Sequence, residues 1–123
     1  MLAAVTGSVL VVDDDDAFRG LAQRLLAAVG LAVVGEAGTT AAALAAAADL
    51  KPDAALVDVV LPDGDGIALA RKLVALPWRP RVVLTSTDED AASPGDVRAS
   101  GADAFVPKRD LPSAPLHRLL TGE

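Results

Sequence analysis

Short runs of valine, alanine and leucine recur along the chain, separated by longer segments in which apolar residues return every three or four positions. Five runs stand out: Val9 to Val12, Ala32 to Gly35, Ala54 to Val57, Val82 to Leu84 and Ala104 to Val106. They are continuous and do not alternate, which suits strands covered on both faces, as in a parallel sheet. The first segment between them places Phe18, Leu21, Ala22, Leu25 and Val29 on one helical stripe, with Gly30 as a stop. The second begins near Thr39 and Thr40, runs through AAALAAAADL and ends before Pro52. Alanine is the strongest helix former, and this tract is far shorter than the roughly 20 apolar residues that cross a bilayer. The third turns Ile67, Ala70, Leu73 and Val74 inward and leaves Arg71 and Lys72 outward. Two further helices are short or irregular. DEDAASPGDVRASG carries Pro94 and Gly95 mid-segment and predicts only a turn of helix near Asp96 to Ser100, while LPSAPLHRLLTG shows a brief stripe of Leu116, Leu119 and Leu120. Strands alternating with helices in this way predict an α/β fold with helices on both faces of a five-stranded parallel sheet.

Composition narrows the picture. The 123 residues, 52% of them hydrophobic, predict one domain over residues 1–123, with no room for an output domain. A formal charge of -6 without clustered Lys or Arg argues against a nucleic-acid surface, since phosphate contacts need concentrated cations. Absence of cysteine excludes disulfides and thiolate metal sites. The stretch MLAAVTGSVLVV has no basic residue before its apolar part and meets Asp13 too early for a secretory or membrane-spanning segment. A cytoplasmic protein with no membrane contact is the expectation.

In an open parallel sheet, functional groups collect beyond the carboxyl ends of the strands. Here those positions hold Asp13 and Asp14, then Asp58, Ser86 and Lys108. Asp13 and Asp14 open the run VVDDDDA, four like charges where a buried strand stops. Neighbouring carboxylates about 4 Å apart repel by roughly 1 kcal/mol in water, and by roughly 4 at an effective dielectric of ~20. A hard divalent cation with oxygen ligands, Mg²⁺ above all, would offset that repulsion. Asp15 or Asp16 reads instead as the N-cap of the first helix, since Asp is favoured there and complements the helix dipole.

The ordered set VLVVDD, LVDVVLPDGDG, VVLTS and GADAFVPK resembles the response-regulator receiver domain and covers nearly the whole chain. The resemblance implies a doubly wound, flavodoxin-like sheet of strand order 2-1-3-4-5. It implies that Asp58 is the phospho-acceptor, attacking the phosphohistidine of a sensor histidine kinase or phosphotransfer protein. Asp13 and Asp14, with Asp58 and the backbone carbonyl of Val60, match the positions that hold Mg²⁺, which neutralises charge on the transferring group. Lys108 matches the lysine that pairs with a phosphoryl oxygen. Ser86 matches the switch hydroxyl, favoured over Thr85 and Thr87 by register, and Phe105 matches the aromatic that follows it inward. In the LPDGDG turn Pro62 fixes the bend and Gly64 or Gly66 can take a positive φ. Val60 and Asp88 match positions that influence hydrolysis of the acyl phosphate.

Departures from the family pattern and rival readings also stand in the sequence. Arg109, not proline, follows Lys108, so a cis bond there would cost about 2.5 to 4 kcal/mol. Phe105 replaces a tyrosine and offers no hydroxyl to partners. The weak fourth and fifth helices argue against carrying over a phosphorylation-driven dimer, which leaves a monomer or weak dimer as the expectation. VLVVDDDDA also fits the start of a haloacid-dehalogenase-like phosphatase, with Asp13 as nucleophile and Asp15 as acid/base. A receiver-like scaffold that acts unphosphorylated is a further alternative. His117 reads as solvated, Trp78 as a cover for apolar surface, and Asp63, Asp65, Asp88, Glu89 and Asp90 as solvated loop charges.

Overall fold

The computed structural model of the chain describes residues 7–123. The reading of the N-terminal stretch as free of a secretory segment falls partly on residues 1–6 and lies there outside the described residues. The elements follow one another as β1 (Ser8–Val12), α1 (Asp16–Ala28), β2 (Ala32–Ala37), α2 (Thr40–Leu50), β3 (Ala54–Asp58), β4 (Val60–Leu61), β5 (Gly64–Asp65), α3 (Gly66–Val74), β6 (Arg81–Ser86), α4 (Pro94–Ser100), β7 (Ala104–Pro107), a 3-10 helix (Lys108–Ser113) and α5 (Leu116–Thr121). The main sheet has five parallel strands in the order β2-β1-β3-β6-β7. The expected doubly wound order is therefore present, with β6 and β7 as its fourth and fifth strands.

Period-2 side-chain alternation splits each inner strand between two cores. Leu10, Val12, Ala55, Val57, Val82 and Leu84 face the side of α2 and α3, where Ala43, Ala47, Leu69, Ala70 and Leu73 meet them. Val9, Val11, Ala54, Leu56, Val83 and Val106 face α1, the 3-10 helix and α5, against Phe18, Ala22, Leu26, Leu111, Leu116 and Leu120. Each fully buried Val or Leu side chain contributes about 1.5 to 3 kcal/mol of transfer free energy. Small alanines on α2 let that helix lie close to the sheet.

Several expectations need correction. β2 is an edge strand, and its exposure alternates where continuous burial was expected. On α1 the inward stripe is Phe18, Ala22 and Leu26, spaced by four, whereas Leu21 and Val29 are exposed at its margins. On α3, Leu69 joins Ala70 and Leu73 in the core. Pro94 and Gly95 do not interrupt α4. They form its first turn, where proline's missing N–H is harmless, behind a capping box between Ser93 and Asp96. Neither Gly64 nor Gly66 has a positive φ. Lys108–Ser113 forms a 3-10 helix that no periodic pattern announced.

Candidate functional site

The carboxyl ends of β1, β3, β6 and β7 share one edge of the sheet. At the end of β1, the Asp13 amide donates to the Ala37 carbonyl (2.9 Å), which fixes the backbone where the strand stops. Asp13 Oδ1 accepts from the Asp15 amide at 2.8 Å, and Asp15 in turn caps α1, accepting from the amides of Ala17 (2.9 Å) and Phe18 (3.4 Å). That capping role agrees with the sequence reading. It also commits the Asp15 carboxylate that a haloacid-dehalogenase-like mechanism would need as acid/base. Arg19 braces the same turn: its guanidinium donates to the Asp13 carbonyl at 2.5 Å and to Glu36 at 2.9 Å, and pairs with Asp16.

Asp58 closes β3, where its register partner on β6 is Thr85. The Val60 amide donates to Asp58 Oδ1 at 3.1 Å, and the Val60 side chain points outward, 67% exposed. The turn after Asp58 is tight because α3 begins against it. The Gly66 amide donates to the Val59 carbonyl at 2.6 Å, and a Cβ at Gly66 would collide with the Asp58 carbonyl. Close approach, not a positive φ, is what requires glycine there.

Asp13, Asp14 and Asp58 each bring a carboxylate oxygen within 4.8 Å of the others. Asp13 is fully buried and Asp58 nearly so, while Asp14 is exposed and opens the cluster to solvent. Lys108, the first residue after β7, sends its ammonium into the same group. Its Nζ lies 2.6 Å from Asp13 Oδ2 and 3.3 Å from Asp58 Oδ2. The contact with Asp58 is a hydrogen bond; the closer one with Asp13 lies off the hydrogen-bonding direction, so Asp13 Oδ2 is an ion-pair partner that accepts no hydrogen bond.

These neighbours set the protonation behaviour. Burial pushes the Asp58 carboxyl above its ordinary value and the nearby Asp13 charge adds to that, against the opposing pull of the Val60 amide and Lys108. Burial alone would favour a neutral Lys108 amine, but the two carboxylates outweigh it and hold the ammonium above its usual range. Carboxylates outnumber the one ammonium, and a buried Asp13 oxygen accepts no hydrogen bond. Hard oxygen donors so arranged fit a divalent cation of the Mg²⁺ type.

Ser86 ends β6 and is buried, its Oγ accepting from the Asp88 amide at 3.1 Å. Thr85 is committed elsewhere, donating its hydroxyl to the Val106 carbonyl at 2.7 Å, and Thr87 is exposed. Phe105 pairs with Leu84 in register and packs, half-buried, against the core on the α2 and α3 side. The structure thus gathers Asp13, Asp14 and Asp58 into one cluster with Lys108 ion-paired to the first and last, sets Ser86 one residue beyond the strand partner of Asp58, and leaves Phe105 half-buried against the core. Among the described residues every peptide bond is trans, that between Lys108 and Arg109 included.

Other readings divide. His117 is exposed, and Trp78 is half-buried, its indole N–H donating to the Pro52 carbonyl at 2.9 Å. The loop acids are not merely solvated. Asp63 accepts from the Thr40 amide (2.7 Å), the Thr40 hydroxyl (2.9 Å) and the Ala41 amide (3.1 Å), so it caps α2 from a hairpin distant in sequence. Those bonds hold its carboxyl below the ordinary range. Asp65 caps α3, Asp88 accepts from the Asp90 amide, and Glu89 pairs with Arg109. Sequence reasoning also missed Phe18 as part of the site; its ring lies beneath the Lys108 ammonium, 4.0 Å from Nζ to centroid. Helical spacing marked it only as core.

Comparison with known proteins agrees with this geometry. Among the described residues no helix is long and apolar enough to cross a membrane. A DNA-binding transcriptional activator, DevR/DosR of Mycobacterium tuberculosis, is 43% identical over 102 residues, covering 81% of this chain and 46% of that protein. The response regulator GacA of Pseudomonas viridiflava is 38% identical over 101 residues, covering 81% and 47%. This chain therefore spans about half the length of these curated relatives. Among solved structures, the response regulator domain of Thermotoga maritima CheB superposes with a TM-score of 0.80 at 26% identity, over 94% of each chain. The family model of the response regulator receiver domain matches residues 9–118, and the chain belongs to that family.

Proposed function

We propose that the chain, residues 1–123, acts as a phospho-accepting receiver in a histidine-to-aspartate relay, with Asp58 as acceptor. The observation that carries this reading is the position of the Lys108 ammonium between Asp13 and Asp58, with three carboxylate oxygens within 4.8 Å of one another. An Asp58 carboxylate oxygen attacks the phosphorus of a phosphohistidine on a sensor kinase or phosphotransfer protein. The P–O bond forms as the P–N bond breaks, and the imidazole leaves, taking up a proton. Asp13, Asp14, Asp58 and the Val60 carbonyl are the groups that would hold Mg²⁺, whose charge neutralises the transferring phosphoryl group. Lys108 adds the protein's own cation to the same oxygens. Ser86 then donates its hydroxyl to the new phosphoryl group and Phe105 follows it inward, which changes the surface offered to a downstream partner. The chain itself carries no separate reaction beyond taking up and losing the phosphoryl group.

Intact-mass analysis after exposure to acetyl phosphate with Mg²⁺ tests the proposal. Wild type gains one phosphoryl group and Asp58→Asn gains none. An unchanged wild-type mass overturns it and leaves a scaffold acting unphosphorylated as the better reading, while equal labelling of both removes Asp58 as the acceptor.

A further inference from the structure

Lys108 has a third neighbour besides its two carboxylates. The Phe18 ring faces the ammonium from the first turn of α1, with Nζ 4.0 Å from the ring centroid. Phe18 is only 8% exposed and packs in the core formed by Val9, Val11 and Leu56, so its ring does not follow the lysine but is held by the sheet. A lysine stem is flexible and its ammonium position is not set by its backbone. Two of its surroundings are carboxylate oxygens, Asp58 Oδ2 as hydrogen-bond acceptor and Asp13 Oδ2 as ion-pair partner. An aliphatic residue on the remaining side would leave a largely desolvated cation facing hydrocarbon. The face of an aromatic ring instead attracts it electrostatically, without competing for either carboxylate's lone pairs.

We propose that Phe18 is a positioning residue for Lys108, holding the ammonium level with the Asp58 carboxylate and so setting how fast Asp58 takes up a phosphoryl group. This rests on the assignment of Asp58 as acceptor. The attraction comes from the ring's quadrupole, which fluorine weakens stepwise at nearly constant volume. The test is therefore site-specific replacement of Phe18 by mono-, di- and trifluorophenylalanine, beside Phe18→Leu. Initial labelling rates from acetyl phosphate with Mg²⁺ fall stepwise, to about threefold to tenfold below wild type at the trifluoro residue, while the melting temperatures of the fluorinated proteins stay together. The Lys108 ε-methylene protons, shifted upfield by the ring in wild type, return to ordinary positions in Phe18→Leu. A flat rate series with Asp58 still labelled, or ε-methylene shifts that do not respond to Phe18→Leu, overturns the role of Phe18 alone. Failure of wild type to label at Asp58 removes the acceptor assignment and this inference with it.

Discussion

The Lys108 ammonium stands closer to Asp13 (2.6 Å) than to Asp58 (3.3 Å), and Asp13 is the more deeply buried of the two acids. The lysine therefore has a structural duty toward Asp13 beside any chemical one toward Asp58. Removing one partner of a buried ion pair leaves an uncompensated charge, which costs more than the intact pair contributes. Lys108→Ala should lower stability at neutral pH by up to about 3 kcal/mol in metal-free buffer. Added Mg²⁺ should restore much of that, because the same oxygens gain a cation. Urea denaturation with and without Mg²⁺ measures both effects, and a variant as stable as wild type in chelator contradicts the pairing.

Asp58 carries a different signature. Its folded pKa is raised, so its contribution to stability is fully present below the pKa of the unfolded chain and is lost as pH rises through the folded value. At neutral pH the charged Asp58 is thus a cost in the metal-free protein. Asp58→Asn should raise the metal-free melting temperature at pH 7 by a few degrees, since it removes a buried charge and with it the repulsion from Asp13. The advantage should vanish below about pH 4, where the wild-type carboxyl is protonated. Thermal melts across that range decide it; an Asn variant melting below wild type at pH 7 would sink the account.

Asp63 should show the opposite slope. Its folded pKa is lowered by the amides and hydroxyl at the start of α2, so its stabilisation is present above the unfolded pKa and lost as pH falls through the folded one. Asp63→Ala should melt below wild type at pH 7, and the two curves should converge in acid. If they stay parallel at every pH, the carboxylate is not what ties the hairpin to α2.

Gly66 tests the tightness of the turn after Asp58. Its missing side chain lets α3 begin against the Asp58 carbonyl, and Leu69, Ala70 and Leu73 hold that helix to the sheet. Gly66→Ala should cost about 1 to 3 kcal/mol by forcing backbone apart. It should slow phosphoryl uptake as well, since Asp58 and Val60 lie on the displaced segment. Equilibrium unfolding and labelling kinetics on the same sample check the two effects together.

How far these features were readable beforehand follows from which interactions are local. Asp13, Asp14, Asp58 and Lys108 could be found because each lies within two residues after an apolar run, and strand ends in a parallel sheet share one edge. The Asp63 cap was invisible, because its partners at Thr40 and Ala41 lie 23 and 22 residues away and no spacing rule links them. Pro94 misled because its usual effect inside a helix differs from its effect at the first turn, and only the Ser93 and Asp96 pair distinguishes the two. Phe18 satisfied the helical period equally well as plain core. That period says which way a ring faces, not which cation rests on it.

With Asp58 as the proposed acceptor, Val60 should influence the lifetime of the phosphorylated state. Its side chain, two positions after Asp58, is 67% exposed, so changing it removes little buried contact. Its amide, by contrast, is engaged with Asp58 Oδ1 at 3.1 Å, and that bond does not depend on the side chain. Val60→Asn should therefore leave melting temperature within about the ±0.5 kcal/mol typical of surface changes. An isopropyl group cannot orient water, whereas a carboxamide can both donate to and accept from it. Following decay of the acyl phosphate after the phosphodonor is removed, the Asn variant should lose its label severalfold faster than wild type. A decay rate that does not change would show that water reaches the phosphoryl group by a route this side chain does not control.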